Sequence, residues 1–160
     1  MVAEFQNWSE IFKVEFTITV NMLPDTTTSA FHFSTGENCC SSGGRIPALF
    51  IRSDETFHVA NSVNGNGNYY QNIPFELGKE HQMTILQYKD SEEYYWYEII
   101  IDNVSRFKIQ NTEPKSFSNV KLYAGHPLSG LPVITSDIGS ICNVIVNEEI
   151  ISGLQNSFFK

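Results

Sequence analysis

A chain of 160 residues is long enough for one domain with a sizeable core, and its 41% hydrophobic, 13% aromatic and only 18% charged residues exclude a disordered polymer and favour a β-rich fold. A formal net charge of −8 speaks against nucleic acid or an anionic membrane surface as partner, because both are held through Lys and Arg, and leaves sugars, calcium or a basic protein patch. No apolar run reaches membrane-spanning length, so no membrane insertion is expected, and residues 1–6 lack the basic-then-apolar pattern of a secretory signal.

Residues 11–21 (IFKVEFTITVN) alternate cleanly. Phe12, Val14, Phe16, Ile18 and Val20 point one way, and Lys13, Glu15, Thr17, Thr19 and Asn21 the other, which predicts a long antiparallel strand with one wet face. Residues 22–25 (MLPD) end it, and residues 27–35 (TTSAFHFST) predict a second strand. Residues 36–45 (GENCCSSGGR) read as a loop, because Gly and Ser cluster there without a period. Residues 46–52 and 55–61 predict a hairpin turning at Ser53-Asp54. Residues 61–68 hold four Asn and two Gly and read as irregular. Residues 69–74 then resume as a short edge strand, a place that suits Pro74 because it lacks the ladder donor.

Residues 81–110 predict a three-stranded meander. The runs HQMTILQY, YYWYEIII and VSRFKIQ are rich in β-branched and aromatic residues, and the turns fall at Lys89-Asp90-Ser91 and Asp102-Asn103. Residues 120–124 form a further strand, 125–137 a second long loop, and 138–146 (IGSICNVIV) a last strand with Cys142, Val144 and Val146 on one face. About ten or eleven short strands with turn signals between them predict an all-β, two-sheet antiparallel sandwich over residues 1–160, with the long first and last strands side by side.

The segments TSAFHFSTGENCCSSGGRIPALFI, ANSVNGNGNYY, SFSNVKLYAGHP and IGSICNVIV carry a resemblance. Together they resemble an extracellular module of marine invertebrate proteins in the concanavalin A-like, laminin-G-like superfamily. In that module a His-Phe-Thr-Gly strand precedes an Arg-Ile-Pro-Ala strand. The corresponding residues are His32-Phe33-Ser34-Thr35-Gly36 and Arg45-Ile46-Pro47-Ala48. The resemblance covers residues 11–146 and implies a jelly roll used for adhesion, sugar binding or protein contact, among which fold alone does not choose. Two positions depart from the pattern: Gly43-Gly44 stand where an acidic residue would precede the arginine, and Leu128 follows Pro127 where an aromatic is expected.

Four sets of residues are candidates for chemistry. Asn64, Asn66 and Asn68 supply amides either to a sugar or a hard cation, or to an ordinary tight turn. Calcium would need carboxylates from elsewhere, and Asp25, Asp54 and Asp137 are the loop candidates. Arg45 and His126, with Tyr69 and Tyr70, are placed to orient and stack on a ligand, whereas the Tyr94–Tyr97 run reads as cross-strand packing; a buried Trp96 would put Tyr95 and Tyr97 on the opposite face. Of the three cysteines, the vicinal Cys39 and Cys40 are not expected to bridge each other. One of them reaches Cys142, leaving the other free or intermolecular, or else all three are reduced.

Carboxylates at glycosidase spacing are not evident, since Asp90, Glu92 and Glu93 lie in a turn and Glu148-Glu149 follow a strand. The four histidines are scattered along strands and loops. Asn7-Trp8-Ser9 and Asn103-Val104-Ser105 fit the N-glycosylation pattern. These observations predict an extracellular, non-catalytic, lectin-like module. It would bind glycan or another extracellular protein through loops 36–45, 61–72 and 125–137, and weak single sites would be strengthened by homo-oligomerisation or repetition. A structural or self-assembly domain, using the apolar tail at Phe158-Phe159, is the alternative, and a glycan-cleaving enzyme the third reading.

Overall fold

A computed structural model describes residues 1–125, 130–147 and 149–151. Its strands in chain order are β1 (Ala3–Trp8), β2 (Phe12–Val20), β3 (Thr28–Ser34), β4 (Ala48–Ile51), β5 (Thr56–Val63), β6 (Asn66–Pro74), β7 (Glu80–Lys89), β8 (Tyr95–Ile101), β9 (Val104–Gln110), β10 (Phe117–Tyr123), β11 (Gly139–Val146) and β12 (Glu149–Ile150). One sheet runs β1-β10-β3-β4-β5-β6 and the other β12-β11-β2-β7-β8-β9. The strand pairs in both are antiparallel. The chain changes sheet between β1 and β2, β2 and β3, β6 and β7, β9 and β10, and β10 and β11, which winds it as a jelly roll.

The alternation of residues 11–21 explains why β2 sits centrally. Phe12, Val14, Phe16, Ile18 and Val20 are all buried. Each fully buried side chain of this size stabilises by about 1.5–3 kcal/mol, so one face of one strand anchors much of the core. β2 is flanked by β7 and, as the sequence predicts for its long terminal strands, by β11, with Ile18 opposite Ile141. Rings pack both within and between the sheets. Trp8 of β1 lies 4.9 Å from Phe33 of the same sheet and 5.4 Å from Phe12 of the other, both pairs tilted, and Phe16 of β2 meets Phe31 of β3 across the sandwich edge to face at 5.0 Å. Such geometry matches the negative face of one ring to the positive edge of the next.

Five sequence expectations change. β1 was not foreseen; its apolar positions Ala3, Phe5 and Trp8 do not keep a period of two, and its pairing with β10 holds it in place. The Asn/Gly stretch is not an irregular loop. β5 continues through Val63 and β6 begins at Asn66, leaving a two-residue turn at Asn64-Gly65 with φ of 52° and 72°. That is the turn whose twist matches flanking strands, and Asn-Gly adopts it readily.

On β8 the buried ring is Tyr97, not Trp96. The Trp96 indole faces outward and donates to Asp90 Oδ2 at 2.7 Å, while Asp90 Oδ1 accepts from the amides of Glu92 and Tyr94. Cys142 does not share a face with Val144, because the β11–β2 register shifts between Cys142 and Ile145, with Asn143 at a φ of 55°. Finally, Cys39 and Cys40 are bonded to each other at 2.01 Å, and Cys142 is a free thiol. Alternation after the buried Ile141 puts Cys142 on the outer face of the second sheet, where its Sγ lies 2.8 Å from Thr17 Oγ1, and the bulge at Asn143 brings Val144 back inward; residues 36–45, by contrast, follow β3 in the first sheet.

One end of the sandwich is tied by a buried amide chain. Gln87 of β7 donates to the Glu10 carbonyl at 2.5 Å and accepts from Asn111 Nδ2 at 2.6 Å. Asn111 Oδ1 in turn accepts from the Asn64 amide at 2.9 Å, linking the β5–β6 turn to the opposite sheet. His81 is structural as well: its ring bonds Asp102 Oδ2 at 2.9 Å on one side and accepts from the Glu76 amide at 3.2 Å on the other.

Candidate functional site

β3 is buried on both faces because two loops cover its outer side. Residues 130–134 run along it, with the Ser29 amide donating to the Pro132 carbonyl at 2.8 Å and the Ile134 amide to the Ser29 carbonyl at 3.1 Å. The loop between β3 and β4 closes the other end, where His32 Nε2 meets the Gly44 carbonyl at 2.5 Å. Away from β3 the cover thins: on the outer side Phe50 of β4 is still buried, His58 of β5 is half-buried, and Tyr70 and Asn72 of β6 are exposed.

The residues presented there form a row of rings. In register, Phe50 of β4 stands opposite His58 of β5, which stands opposite Asn72 of β6, with Tyr70 diagonal to it. Phe50 and His58 meet edge to face at 5.7 Å, and the His58 and Tyr70 rings lie 4.6 Å apart with their planes tilted by 32°. Phe50, Ala48 and Ala60 make a small apolar floor, onto which Leu131 packs from the covering loop. Tyr70 is 49% exposed, so its ring offers a free surface beside this floor.

Polar groups converge on the rings. The Arg45 guanidinium lies 4.9 Å above the Phe50 ring, with Nε donating to the Asn38 carbonyl at 3.2 Å and Nη1 to Asn68 Oδ1 at 2.5 Å. Arg52 bounds the other side and is fixed by Asp54, with Nη2 donating to Oδ2 at 2.9 Å. His58 Nδ1 bonds Asn72 Oδ1 at 2.7 Å. Thr27, Arg45, Phe50, Arg52, His58 and Leu131 together line a cleft of about 80 Å³.

The charges follow from these contacts. Burial pulls the Arg45 guanidinium below its ordinary value. Burial likewise holds His58 below its usual range; the Asn72 bond opposes this, and the nearby Arg45 and Arg52 add to it. The Asp54 carboxyl falls to about 2, because Arg52 and Thr56 hydrogen-bond its ionised form. Its charge is thus engaged by Arg52.

The residues expected to bind divide among several places. Arg45, Asn68 and Tyr70 come together at the cleft. Asn66 accepts from the Asn68 amide and shapes the start of β6. Asn64 has both ends of its amide engaged, with Nδ2 donating to the Gln110 carbonyl and Oδ1 accepting from Thr112, so it locks the turn to the other sheet. Tyr69 turns inward against Phe107 at 6.0 Å. His126 and Phe158-Phe159 lie outside the described residues, as do Pro127 and Leu128.

Asp25 and Asp137 line a second cleft with Thr26, Thr28 and Pro132, adjoining the first across Thr27 and Leu131. Asp54 belongs to the β4–β5 turn instead. Among the described residues no three His, Cys, Asp or Glu side chains gather for a metal. The Asp25–Asp137 pair therefore falls short of the six to eight oxygens calcium takes unless hydroxyls, carbonyls and water complete the set. Asn7, on β1, and Asn103, in the β8–β9 turn with a φ of 62°, are both exposed.

Sequence reading passed over Phe50, Arg52, His58, Asn72 and Leu131. A usable signal was present: on strands whose alternate residues Leu49, Ile51, Phe57 and Val59 are core, the intervening Phe50 and His58 must point outward.

No family model and no curated protein sequence matches this chain. Solved structures do. A heptameric SAP-like pentraxin from Limulus polyphemus superposes with a TM-score of 0.55 at 16% identity, covering 96% of this chain and 72% of that one. A human galectin-16 variant gives 0.51 at 15%, covering 93% and 96%. The CBM40 of a Ruminococcus gnavus IT-sialidase, bound to α2,3 sialyllactose, gives 0.55 at 12%, covering 94% and 84%. At such identities the likeness is one of fold, and that fold is the concanavalin A-like jelly roll expected from the sequence.

Proposed function

We propose that this protein is a non-catalytic glycan-binding module that docks a sugar on the outer face of β4, β5 and β6. The observation that carries the reading is the Tyr70 ring, exposed on β6 beside His58 and flanked by Arg45, Asn68 and Asn72, on the least covered part of the sheet, with buried Phe50 as the floor behind it. An aromatic face stacks on the apolar side of a sugar ring, and amides and guanidinium groups around it hydrogen-bond hydroxyls in fixed directions. The shared fold with a CBM40 solved on a sialylated sugar supports the same reading. A non-catalytic role is supported by Asp90, whose carboxylate is spent on the β7–β8 turn and the Trp96 indole.

Extracellular placement is part of the proposal. The Cys39–Cys40 disulfide suits an oxidising compartment, and Asn7 and Asn103 are open to glycosylation. A cleft this shallow binds weakly by itself, so the proposal includes self-association or repetition to raise avidity.

The test is a glycan array probed with the unreduced protein, in calcium and again in chelator, beside Tyr70→Ala. Binding that survives chelator and is lost in the variant supports the site. Binding lost in chelator would move it to the Asp25–Asp137 cleft. No binding in either condition would leave the outer face to protein contact.

A further inference from the structure

Resting on the glycan reading, we propose that the Arg45 cleft selects an acidic sugar by seating its carboxylate or sulfate between Arg45, Arg52 and His58. The protein carries a net charge of −8, yet among the described residues no carboxylate lines this cleft, which holds two guanidinium groups and an imidazole. Their partners separate the two cations. Arg52 has a counter-ion in Asp54. Arg45 makes no ion pair among the described residues; its acceptors are the Asn38 carbonyl and the Asn68 amide oxygen, both neutral.

A half-buried cation without a counter-ion carries a desolvation cost that an incoming anion offsets. The direction of the Arg45 shift reports that cost. Arg45 is also held in place before a ligand arrives. The Phe50 ring lies beneath it and two of its five N–H groups are fixed, which leaves a planar donor fork directed by the protein. Such a fork matches the paired oxygens of a carboxylate or sulfate.

Size narrows the choice of group. A cleft of about 80 Å³ is the room of two or three waters, which fits one acidic substituent and not a whole ring. The ring itself then lies outside the cleft, toward the exposed Tyr70.

The experiment compares matched pairs in the same array format: 3′-sialyllactose and 3′-sulfolactose each against lactose, and a hyaluronan hexasaccharide against its carboxyl-reduced form, with the array's other neutral glycans alongside. Titration of the best pair follows, on wild type and Arg45→Gln. The expected result is a preference of about tenfold or more for the acidic member, the scale of one charge-assisted contact. Arg45→Gln should bring the two members within about twofold, the acidic member losing more affinity than the neutral one. A carboxylate pair and a sulfate pair that respond differently identify the source of the anion.

Equal binding of acidic and neutral members overturns the acidic-sugar inference and leaves the glycan reading standing. Absence of binding to every glycan overturns both. Because the wild-type comparison alone decides the preference, a variant that melts early does not protect the proposal. Thermal melts of both proteins separate lost contact from lost fold.

Discussion

His58 couples the cleft to pH. It faces Phe50 on β4, Arg45 and Arg52 at either end of that strand, Asp54 in the following turn, and Tyr70 and Asn72 on β6. Burial keeps it neutral below its ordinary value, so the folded chain binds fewer protons there than the unfolded one. Its contribution to stability is complete above the unfolded pKa of about 6.5 and is lost as pH falls through the lowered folded value. An anion in the cleft favours the imidazolium, which reverses the preference. Affinity for 3′-sulfolactose, whose sulfate does not titrate in this range, should therefore rise as pH falls from 7 toward 5, by no more than about tenfold per unit for one linked proton. His58→Gln should flatten the profile, and titration calorimetry across pH reads both. A flat wild-type profile would remove His58 from the anion's surroundings. Asn111 tests a different kind of residue. It is 2% exposed and bonds Gln87, Asn64 and Glu113. Asn111→Ala strands the buried Gln87 amide in the interior, at a cost of about 1–3 kcal/mol. The melt should drop by several degrees, with glycan binding unchanged; an unaltered melt would show that water replaces the amide.

At the scale of elements, the β3–β4 loop positions Arg45 because glycine lets two backbones touch. A Cβ on Gly67 would lie 2.4 Å from the Ser41 carbonyl, so Gly67→Ala must push the loop off β6. The Asn38 carbonyl and Asn68 amide would then no longer hold the guanidinium together. Acidic-glycan binding should fall toward the level of Arg45→Gln while strand content by circular dichroism stays; unchanged binding would mean the loop does not place Arg45. Which elements were legible follows from the same physics. β2 and the β7–β9 meander were plain because period-two alternation and turn residues are local properties of the chain. The tight turn at Asn64-Gly65 is among the readings of the Asn/Gly stretch, but the strands running up to it on both sides are not, because composition is weighed above register: Val63 and Asn66 pair directly across the turn. Arg45 and Tyr70 stand out as residue types, but Phe50, His58 and Asn72 become a site only when three strands align, and a bulge such as the one that parts Val144 from the face of Cys142 leaves no local signature.

For the whole molecule, the two-layer arrangement separates what holds the fold from what meets the ligand. Stability lies between the sheets, where Phe31 is fully buried, 5.0 Å from Phe16 and 5.7 Å from Phe33. Phe31→Ala removes a ring from a close-packed layer and should cost about 3–5 kcal/mol. For a domain of this size that is a fall of about 6–20 °C in melting temperature. Tyr70 lies on the other side of the same sheet, half exposed, with its ring tilted against His58. Tyr70→Ala should change stability by no more than about 0.5 kcal/mol and yet abolish stacking on the sugar. Calorimetric melts and array binding on the two variants therefore give opposite patterns: Phe31→Ala melts early and still binds in the cold, and Tyr70→Ala melts as wild type and does not bind. If Tyr70→Ala melts as early as Phe31→Ala, the outer row of rings is a second core, and the face it lines is built for packing, not for a ligand.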